Sequence, residues 1–278
     1  MTFFHRLRAL ARRSLNMFPA LLDAGRSMRD YIEYRRPALR TPHGFSIRGP
    51  AIMKAGTFEV DEVAFLKSRA SDFDVFVNVG ANVGYFTLLA ASLGRKVIAV
   101  EASSKNASRL LENITLNKFS GIEVFPVACG DKPGVLDMYG HGVVASLVPG
   151  WSGSSRKPVC RVPVHTLDRL AGNAIAGARA LFFIDVEGFE LEVLQGASSC
   201  LASEPKPVWL VEVCLTEHQP DPQRARERFR AVFAIFQAAG YSASALDQGL
   251  HPVDFVDLLA QGDLAKLGSL RNFVFTPV

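Results

Sequence analysis

The hydrophobic pattern of the chain alternates between short apolar runs and longer amphipathic segments. Residues 75–79, with the sequence VFVNV, are almost continuously apolar, as expected for a parallel strand covered on both faces. A helical pattern over 85–93 and a second apolar run over 96–100 follow it. The same alternation continues to the end of the chain and predicts an α/β protein with an open, mostly parallel sheet.

The remaining elements follow from the same periods. Ser104 is expected to cap a helix over 104–117, and residues 122–128 to form a third strand. Asp221, Pro222 and Gly240 mark the start and the end of a later helix. The other predicted elements are, in chain order, a connector over 41–56, a helix over 58–68, a strand over 180–186, a helix over 189–197, a strand over 207–214, a helix over 221–239, and strands over 241–247 and 272–277. The predicted sheet therefore has seven strands.

The segment between residues 129 and 159 is different because it is rich in glycine and proline. It predicts one short hairpin at 135–139 and then a loop. A long excursion directly after a sheet strand is a candidate substrate-facing loop, with His141, Ser146 and Trp151 as its contact residues. A plain surface loop is the alternative.

The turn after the first predicted strand indicates the ligand. Gly80 and Gly84 let the main chain approach a ligand closely, and Glu101 follows about twenty residues later, where a carboxylate can accept both hydroxyls of a ribose. A dinucleotide site needs a further glycine at the position of Asn82, and the chain has no P-loop motif. An adenosine ligand without phosphates, S-adenosylmethionine, fits this turn best. A simple strand-to-helix connection is the alternative.

Catalytic groups are expected at the carboxyl ends of the strands, where ligands of open α/β sheets bind. Asp185 and Glu187 share one face if the extended conformation persists, and two close carboxylates raise one pKa, as a general base requires. Asp185 is predicted as the base or hydroxyl orienter, and Glu212 assists it. His165 and His218 are further candidates. A competing hypothesis is that the three carboxylates bind a divalent metal ion, but we favour no metal.

Composition sets the broad class. The chain has 278 residues, 49% hydrophobic and 21% charged, which suits one globular domain with extensions. We divide it into an N-terminal arm and connector over 1–56 and a ligand-binding domain over 57–278. Its four cysteines show no zinc-binding spacing, and no apolar run reaches the roughly eighteen residues of a membrane span.

Positive charge is concentrated at the N-terminus. Residues 1–40 hold nine arginines against three acids, whereas the rest of the chain sums to a small negative charge. Residues 1–22 follow a basic amphipathic helical pattern. Such a helix packs on its own domain or on a second subunit, or it lies on an anionic membrane surface. Nucleic acid is not an expected partner because the body of the protein is not basic. The expected location is cytoplasmic, with peripheral contact at the inner membrane surface as a variant.

Several separated motifs in one order resemble the FkbM family of S-adenosylmethionine-dependent methyltransferases. They include VGANVGY from Val79, AVEAS from Ala99, HTLD from His165 and IDVEG from Ile184. The resemblance implies a class I methyltransferase fold with an antiparallel edge hairpin. It also implies cofactor contacts at Asn78, Gly80, Asn82, Gly84, Glu101, Val127 and Ala128.

Two positions depart from the family pattern. The family usually has Asp at the position of Asn78 and Lys at the position of Phe183. Asn78 keeps a carbonyl acceptor for the amino group of the cofactor but loses the charge that strengthens such a bond.

The resemblance further implies methyl transfer to a hydroxyl oxygen, often of a sugar or a polyketide. We therefore expect an O-methyltransferase that acts on a sugar in a glycan or a lipid-linked saccharide. Two alternatives are a non-catalytic membrane-surface or assembly protein that retains the fold, and a nicotinamide-dependent oxidoreductase. A homo-oligomer is compatible with the sequence.

Overall fold

The computed structural model describes residues 19–215, 218–247, 249–253 and 270–278. An N-terminal helix, a small hairpin and two further helices precede the central sheet. They are α1 (Pro19–Arg35), β1 (Leu39–Arg40), β2 (Ser46–Ile47), α2 (Ala51–Ala55) and α3 (Val60–Ser68). The predicted amphipathic helix over 1–22 lies mostly outside the described residues, and the division of the chain at residue 56 stays a prediction.

The rest of the chain alternates strands and helices, as the hydrophobic pattern predicts. The elements are β3 (Val75–Val79), α4 (Tyr85–Ser92), β4 (Lys96–Val100), α5 (Ser104–Asn117), β5 (Ile122–Phe125), β6 (Ala128–Cys129), β7 (Gly134–Met138), β8 (Cys160–His165), α6 (Leu167–Ile175), β9 (Ala180–Ile184), α7 (Glu190–Gln195), α8 (Ser198–Leu201), β10 (Val208–Glu212), α9 (Pro222–Ala238), β11 (Tyr241–Leu246), β12 (Leu250–Pro252) and β13 (Asn272–Pro277).

The main sheet has eight strands in the order β12-β11-β13-β10-β9-β3-β4-β5. Strands β5, β4, β3, β9 and β10 run parallel, and β13 is antiparallel to both of its neighbours. All seven predicted strands are present in this sheet, and the short strand β12 adds an eighth by folding back on β11. The predicted α/β class with a mostly parallel sheet is confirmed.

A second sheet of three strands was not predicted. It has the order β6-β8-β7 and stands beside the carboxyl end of the main sheet. The predicted third strand over 122–128 was wrong in extent, because Pro126 cannot donate to a ladder and the chain leaves the main sheet there. The predicted hairpin at 135–139 was wrong in its pairing, since β7 pairs with the distant β8.

The predicted N-terminal cap of α9 is confirmed, and that of α5 is wrong by one residue. The cap of α5 is Ser103 and not Ser104, since the Ser103 hydroxyl accepts from the Asn106 N–H. At α9 the Asp221 side chain accepts from the N–H groups of Gln223 and Arg224, and Pro222 occupies the first turn, as predicted.

Two apolar layers cover the main sheet. On one face Phe182 stacks on Trp209 with ring centroids 3.9 Å apart, beneath α9. On the other face Phe86 of α4 packs edge-to-face on Phe183 of β9, with ring centroids 4.6 Å apart. In the part of the chain described here, no helix combines the length and the apolar character that crossing a membrane requires.

Candidate active site

A cavity opens at the carboxyl ends of β3, β4 and β9, between the main sheet and the small sheet. It holds about 590 Å³ of empty space, part of which is open to solvent. Eight of the residues selected from the sequence line it: Gly80, Asn82, Glu101, Val127, Ala128, Ser146, Asp185 and Glu187. The structure therefore brings the glycine turn, the acid after β4 and two of the predicted catalytic carboxylates to one place.

Gly80 is required for the turn to close. Its φ is +86°, and a Cβ atom there would lie 1.7 Å from the carbonyl oxygen of Asp185. The N–H groups of Gly80 and Ala81 both donate to the carbonyl of Val100, at 2.9 Å and 3.0 Å. The turn is thus held directly against both neighbouring strand ends.

Glu101 connects this turn to the start of α5. Its carboxylate accepts hydrogen bonds from the backbone N–H groups of Asn82 and Ser103, each at 2.7 Å. Burial raises the pKa of Glu101 to about 7, against the lowering effect of these two bonds. A carboxylate at this strand end lies where it can accept the hydroxyls of a ribose.

Two predicted cofactor residues lie apart from the cavity lining. Asn78 is buried at 2% exposure on the opposite face of β3, and its amide donates to the Thr87 hydroxyl at 3.0 Å. Gly84 begins α4, and a Cβ atom there would lie 2.5 Å from a methyl group of Leu110. Close packing of α4 on α5 accounts for Gly84, and a cofactor contact for either residue stays a prediction.

Carboxylates cluster at one side of the cavity. Ile184 pairs with Val211, so Asp185 and Glu212 follow them at adjacent strand ends, close enough for a side-chain hydrogen bond. Burial raises the pKa of Asp185 well above its usual value, and the negative charges of Glu212 and Glu187 raise it further. Burial and the neighbouring carboxylates therefore make Asp185 a stronger proton acceptor than an ordinary aspartate.

Glu187 reaches the same cluster by a different geometry from the predicted one. Strand β9 ends at Ile184, and Glu187 has a left-handed φ of 54°, so the extended conformation does not persist. Burial raises the pKa of Glu187 to about 8, although the bond from Trp151 lowers it. Both Asp185 and Glu187 still line the cavity.

Glu59 is a member of this cluster that the sequence reasoning missed. It precedes α3 in a left-handed conformation, with a φ of 44°. Burial, and then the charge of Glu212, raise its pKa well above the usual value. No local pattern marks Glu59, because only the packing of α3 against the sheet brings it near Glu212.

The glycine-rich loop contacts Glu187 through two of its predicted residues. The Ser146 hydroxyl donates to the Glu187 carbonyl at 2.6 Å, and the Trp151 indole N–H donates to its carboxylate at 2.5 Å. Trp151 is only 2% exposed, so it supports the cavity wall from behind. His218 lies beside it, with ring centroids 6.1 Å apart.

None of the three predicted histidines, His141, His165 and His218, is among the residues that line the cavity. His141 precedes a short turn of helix at Gly142–Val144. His165 ends β8, and its Nδ1 is buried without a hydrogen-bond partner among the described residues. Substrate contacts at both positions stay predictions.

Helix α1 fixes the outer side of the same loop. Asp23 accepts from the Ser155 N–H at 2.9 Å, and the Arg26 guanidinium donates to the Ser152 carbonyl at 2.8 Å. Asp30 lies against Gly142 and forms an ion pair with Arg109 at 3.9 Å. The N-terminal helix is therefore a structural support of the cavity wall.

The cavity fits S-adenosylmethionine by its chemistry. The Glu101 carboxylate lies where it can accept from a ribose, and apolar side chains such as Val100, Val127 and Met138 line the space beside it. The Asn82 side-chain oxygen is buried without a partner in the described part of the chain, which leaves one acceptor for a polar ligand group. In the described residues, no group of His, Cys, Asp and Glu side chains has an arrangement that could hold a metal ion.

The sheet order, the cavity at the carboxyl ends and the acid after the second parallel strand define a class I methyltransferase fold. The chain belongs to the FkbM methyltransferase family, because the methyltransferase FkbM domain matches residues 78–243. It is an S-adenosylmethionine-dependent methyltransferase. No curated protein sequence matches the chain.

Solved structures with a similar fold have low sequence identity to this chain. An O-methyltransferase from Bacillus cereus, in complex with S-adenosylhomocysteine, is 18% identical with a TM-score of 0.45, covering 81% of this chain and 82% of that one. An S-adenosylmethionine-dependent O-methyltransferase from Thermotoga maritima is 12% identical with a TM-score of 0.41, covering 87% of this chain and 77% of that one.

Proposed function

We propose that the enzyme transfers a methyl group to a hydroxyl oxygen of a sugar, in a glycan or a lipid-linked saccharide. The observation that supports this acceptor is the carboxylate cluster at the cavity. A hydroxyl must lose its proton when it is methylated, and Asp185 is a carboxylate with a raised pKa at that place. The bound cofactor supplies an electrophilic methyl group.

The protein contributes positioning and proton acceptance. Alignment of reacting groups accounts for about 7 to 11 kcal/mol of a barrier, whereas a positioned base contributes about 10²- to 10⁴-fold. Asp185 accepts the hydroxyl proton, and the negative charge of Glu212 assists it by raising the pKa of Asp185. Glu187 is held by Trp151 and Ser146, so it orients the acceptor from the loop side.

The two alternatives make different predictions. A nicotinamide-dependent oxidoreductase would bind a dinucleotide, but Asn82 occupies the position where the pyrophosphate requires a glycine. A non-catalytic assembly protein would bind the cofactor without turnover. The two departures at Asn78 and Phe183, which lie side by side in register, are the only observations that favour it.

Turnover with methyl-labelled cofactor and a panel of cell-envelope sugars tests the proposal. We expect labelled product from the wild type, and an Asp185→Asn variant that loses about 10²- to 10⁴-fold in kcat while it still binds S-adenosylhomocysteine. Asp131→Asn, at an exposed position, is the matched control. Full turnover by the Asp185 variant would exclude it as the base.

Two further outcomes separate the remaining hypotheses. Labelled product on amines but not on hydroxyls would contradict the acceptor class. Loss of turnover after EDTA treatment would favour the metal hypothesis for Asp185, Glu187 and Glu212. A cytoplasmic location, membrane contact through residues 1–22 and a homo-oligomer remain predictions from the sequence.

A further inference from the structure

Helix α1 exposes four of its large apolar side chains and buries two of its three acids. Leu21 and Met28 are each 60% exposed, and Tyr31 and Ile32 are each 50% exposed. At about 100° per residue, Leu21, Met28 and Ile32 form one stripe along the helix. A helix that packs on its own domain normally turns this stripe inward, so the usual arrangement is reversed here.

The side chains on the inward face of α1 hold the helix in this orientation. Asp23 and Asp30 are 6% and 5% exposed, and both are used in contacts with the loop and with Arg109. Tyr34 is also on this side, beneath the Arg109 guanidinium at 3.4 Å. The helix is therefore attached to the protein by these polar contacts and by the packing of Tyr34, which leaves its apolar stripe exposed.

Arginines flank the stripe. Arg29 and Arg35 of the helix, and Arg36 directly after it, are exposed and lie at the two edges of the stripe. None of them forms an ion pair with any residue in the described part of the chain. An apolar stripe with arginines along its edges is the pattern of a helix that lies in the interface of an anionic membrane.

We propose that the outward face of α1 together with Arg36, defined as the exposed side chains of residues 21–36, binds the surface of an anionic lipid membrane. The positive charge of this face favours an anionic membrane over a second copy of the chain as its binding partner. Two copies packed through the stripe would bring like-charged arginines together, whereas anionic headgroups neutralise them. The proposal uses only described residues and does not rest on the sugar acceptor.

Docking through this face also orients the cavity. The opposite side of α1 contacts Ser152, Ser155 and Gly142 of the loop, and Gly142 lines the cavity. Binding on the outward face therefore brings one wall of the cavity close to the headgroups. That geometry suits an acceptor that is itself attached to a lipid.

Vesicle co-sedimentation of the full chain tests the proposal. We expect binding to vesicles that mix phosphatidylcholine with phosphatidylglycerol, no binding to phosphatidylcholine alone, and weaker binding as salt rises. A Leu21→Glu/Met28→Glu variant should bind more than tenfold more weakly. An Arg29→Gln/Arg36→Gln variant should bind about thirtyfold more weakly.

Matched controls are available on other surfaces. Val60 and Val135 are 61% and 63% exposed, so Val60→Glu/Val135→Glu makes the same charge change at equally exposed apolar positions. Arg226→Gln/Arg230→Gln, on the exposed side of α9, matches the arginine pair. Both controls should bind anionic vesicles like the wild type.

The proposal is overturned if the stripe variant and its control bind equally, or if neutral vesicles bind as well as anionic ones. It is also overturned if sedimentation velocity shows a dimer that the stripe variant disrupts while vesicles do not bind. Binding of S-adenosylhomocysteine by the stripe variant, measured by its thermal shift, should be unchanged. A failure of membrane binding thus remains distinct from a failure of the methyltransferase proposal.

Discussion

The backbone N–H of Asn82 donates to the carboxylate of Glu101 at 2.7 Å across 19 residues of chain. This bond ties the turn after β3 to the end of β4, and the second oxygen of Glu101 ties it to the start of α5. Both oxygens face N–H donors. A glutamate carboxylate can accept at both positions, whereas a glutamine of the same length has only one acceptor oxygen.

Glu101→Gln should weaken the binding of S-adenosylhomocysteine by about 10- to 100-fold. A glutamine has one acceptor oxygen, so its amide group would face a donor at Asn82 or Ser103, and hydrogen bonds to charged groups are worth about 1.5 to 3 kcal/mol. Titration calorimetry measures the change. Glu123→Gln, at an exposed position on β5, should bind as the wild type does. Equal affinity of the two variants would remove Glu101 from the cofactor site.

Gly80→Ala should destabilise the protein far more than Gly94→Ala. Both glycines have positive φ, +86° and +77°, but a Cβ at Gly94 meets nothing within 4 Å whereas one at Gly80 meets the Asp185 carbonyl. The strain alone costs about 1 to 2 kcal/mol. We expect this loss at Gly94 and more than about 3 kcal/mol at Gly80, measured by urea unfolding. Similar losses at both positions would show that the close approach to Asp185 is not rigid.

Stability should fall as pH rises from about 4.5 towards 8. Burial raises the folded-state pKa of Glu190 to about 7 and of Glu187 to about 8, so the folded protein binds more protons than the unfolded chain in this window. The stability due to these protonated carboxyls is complete below the unfolded pKa and is lost as pH rises through the folded one. Each group contributes a slope of about 1.4 kcal/mol per pH unit.

The variant Glu190→Gln should reduce this slope, because glutamine cannot titrate and its oxygen can still accept from the Gly188 N–H. Glu227→Gln, at an exposed position on α9, should leave the slope unchanged. Urea unfolding at several pH values between 5 and 8 gives both slopes. A slope that is the same in both variants would contradict the buried, protonated state of Glu190.

Asn78 and Phe183 should behave as a coupled pair. They are register partners on β3 and β9, and both are buried. Asn78→Asp alone should cost about 3 kcal/mol, because it places an unpaired carboxylate in an apolar layer. The double variant with Phe183→Lys, the pair usual in the family, should cost less than the sum of the two single changes by more than about 1 kcal/mol. Additive costs, measured by urea unfolding, would show that the two departures are independent.

The sequence predicted the main sheet well because its signals are local. Strands β3, β4 and β9 are continuous apolar runs, and the caps of α9 lie within a few residues of its ends. The small sheet was missed because β8 contains Arg161 and Pro163 and pairs with partners more than twenty residues away. Pairings of that kind depend on loop closure and not on any local period.

The site shows the same division between local and distant signals. That Gly80, Asn82 and Glu101 lie at one cavity could be predicted because a known spacing relates a glycine turn to such an acid. Glu59 was missed because its place depends on how α3 packs. A cofactor contact at Gly84 stays a prediction, because Gly84 lies outside the cavity lining and lets α4 pack closely on α5. The exposure of the apolar side of α1 could not be predicted either, because an amphipathic pattern does not show which side of a helix packs against the protein.

The segment between β7 and β8 begins and ends at paired residues of the small sheet, so its length can vary without disturbing the sheet. Met138 pairs with Cys160, so the intervening excursion that walls the cavity leaves and rejoins the small sheet at one point. Doubling the length of such an excursion costs only about 0.6 kcal/mol in closure entropy. A longer or shorter excursion can therefore reshape one wall of the cavity, while the eight-stranded sheet and the turn held by Glu101 stay as they are.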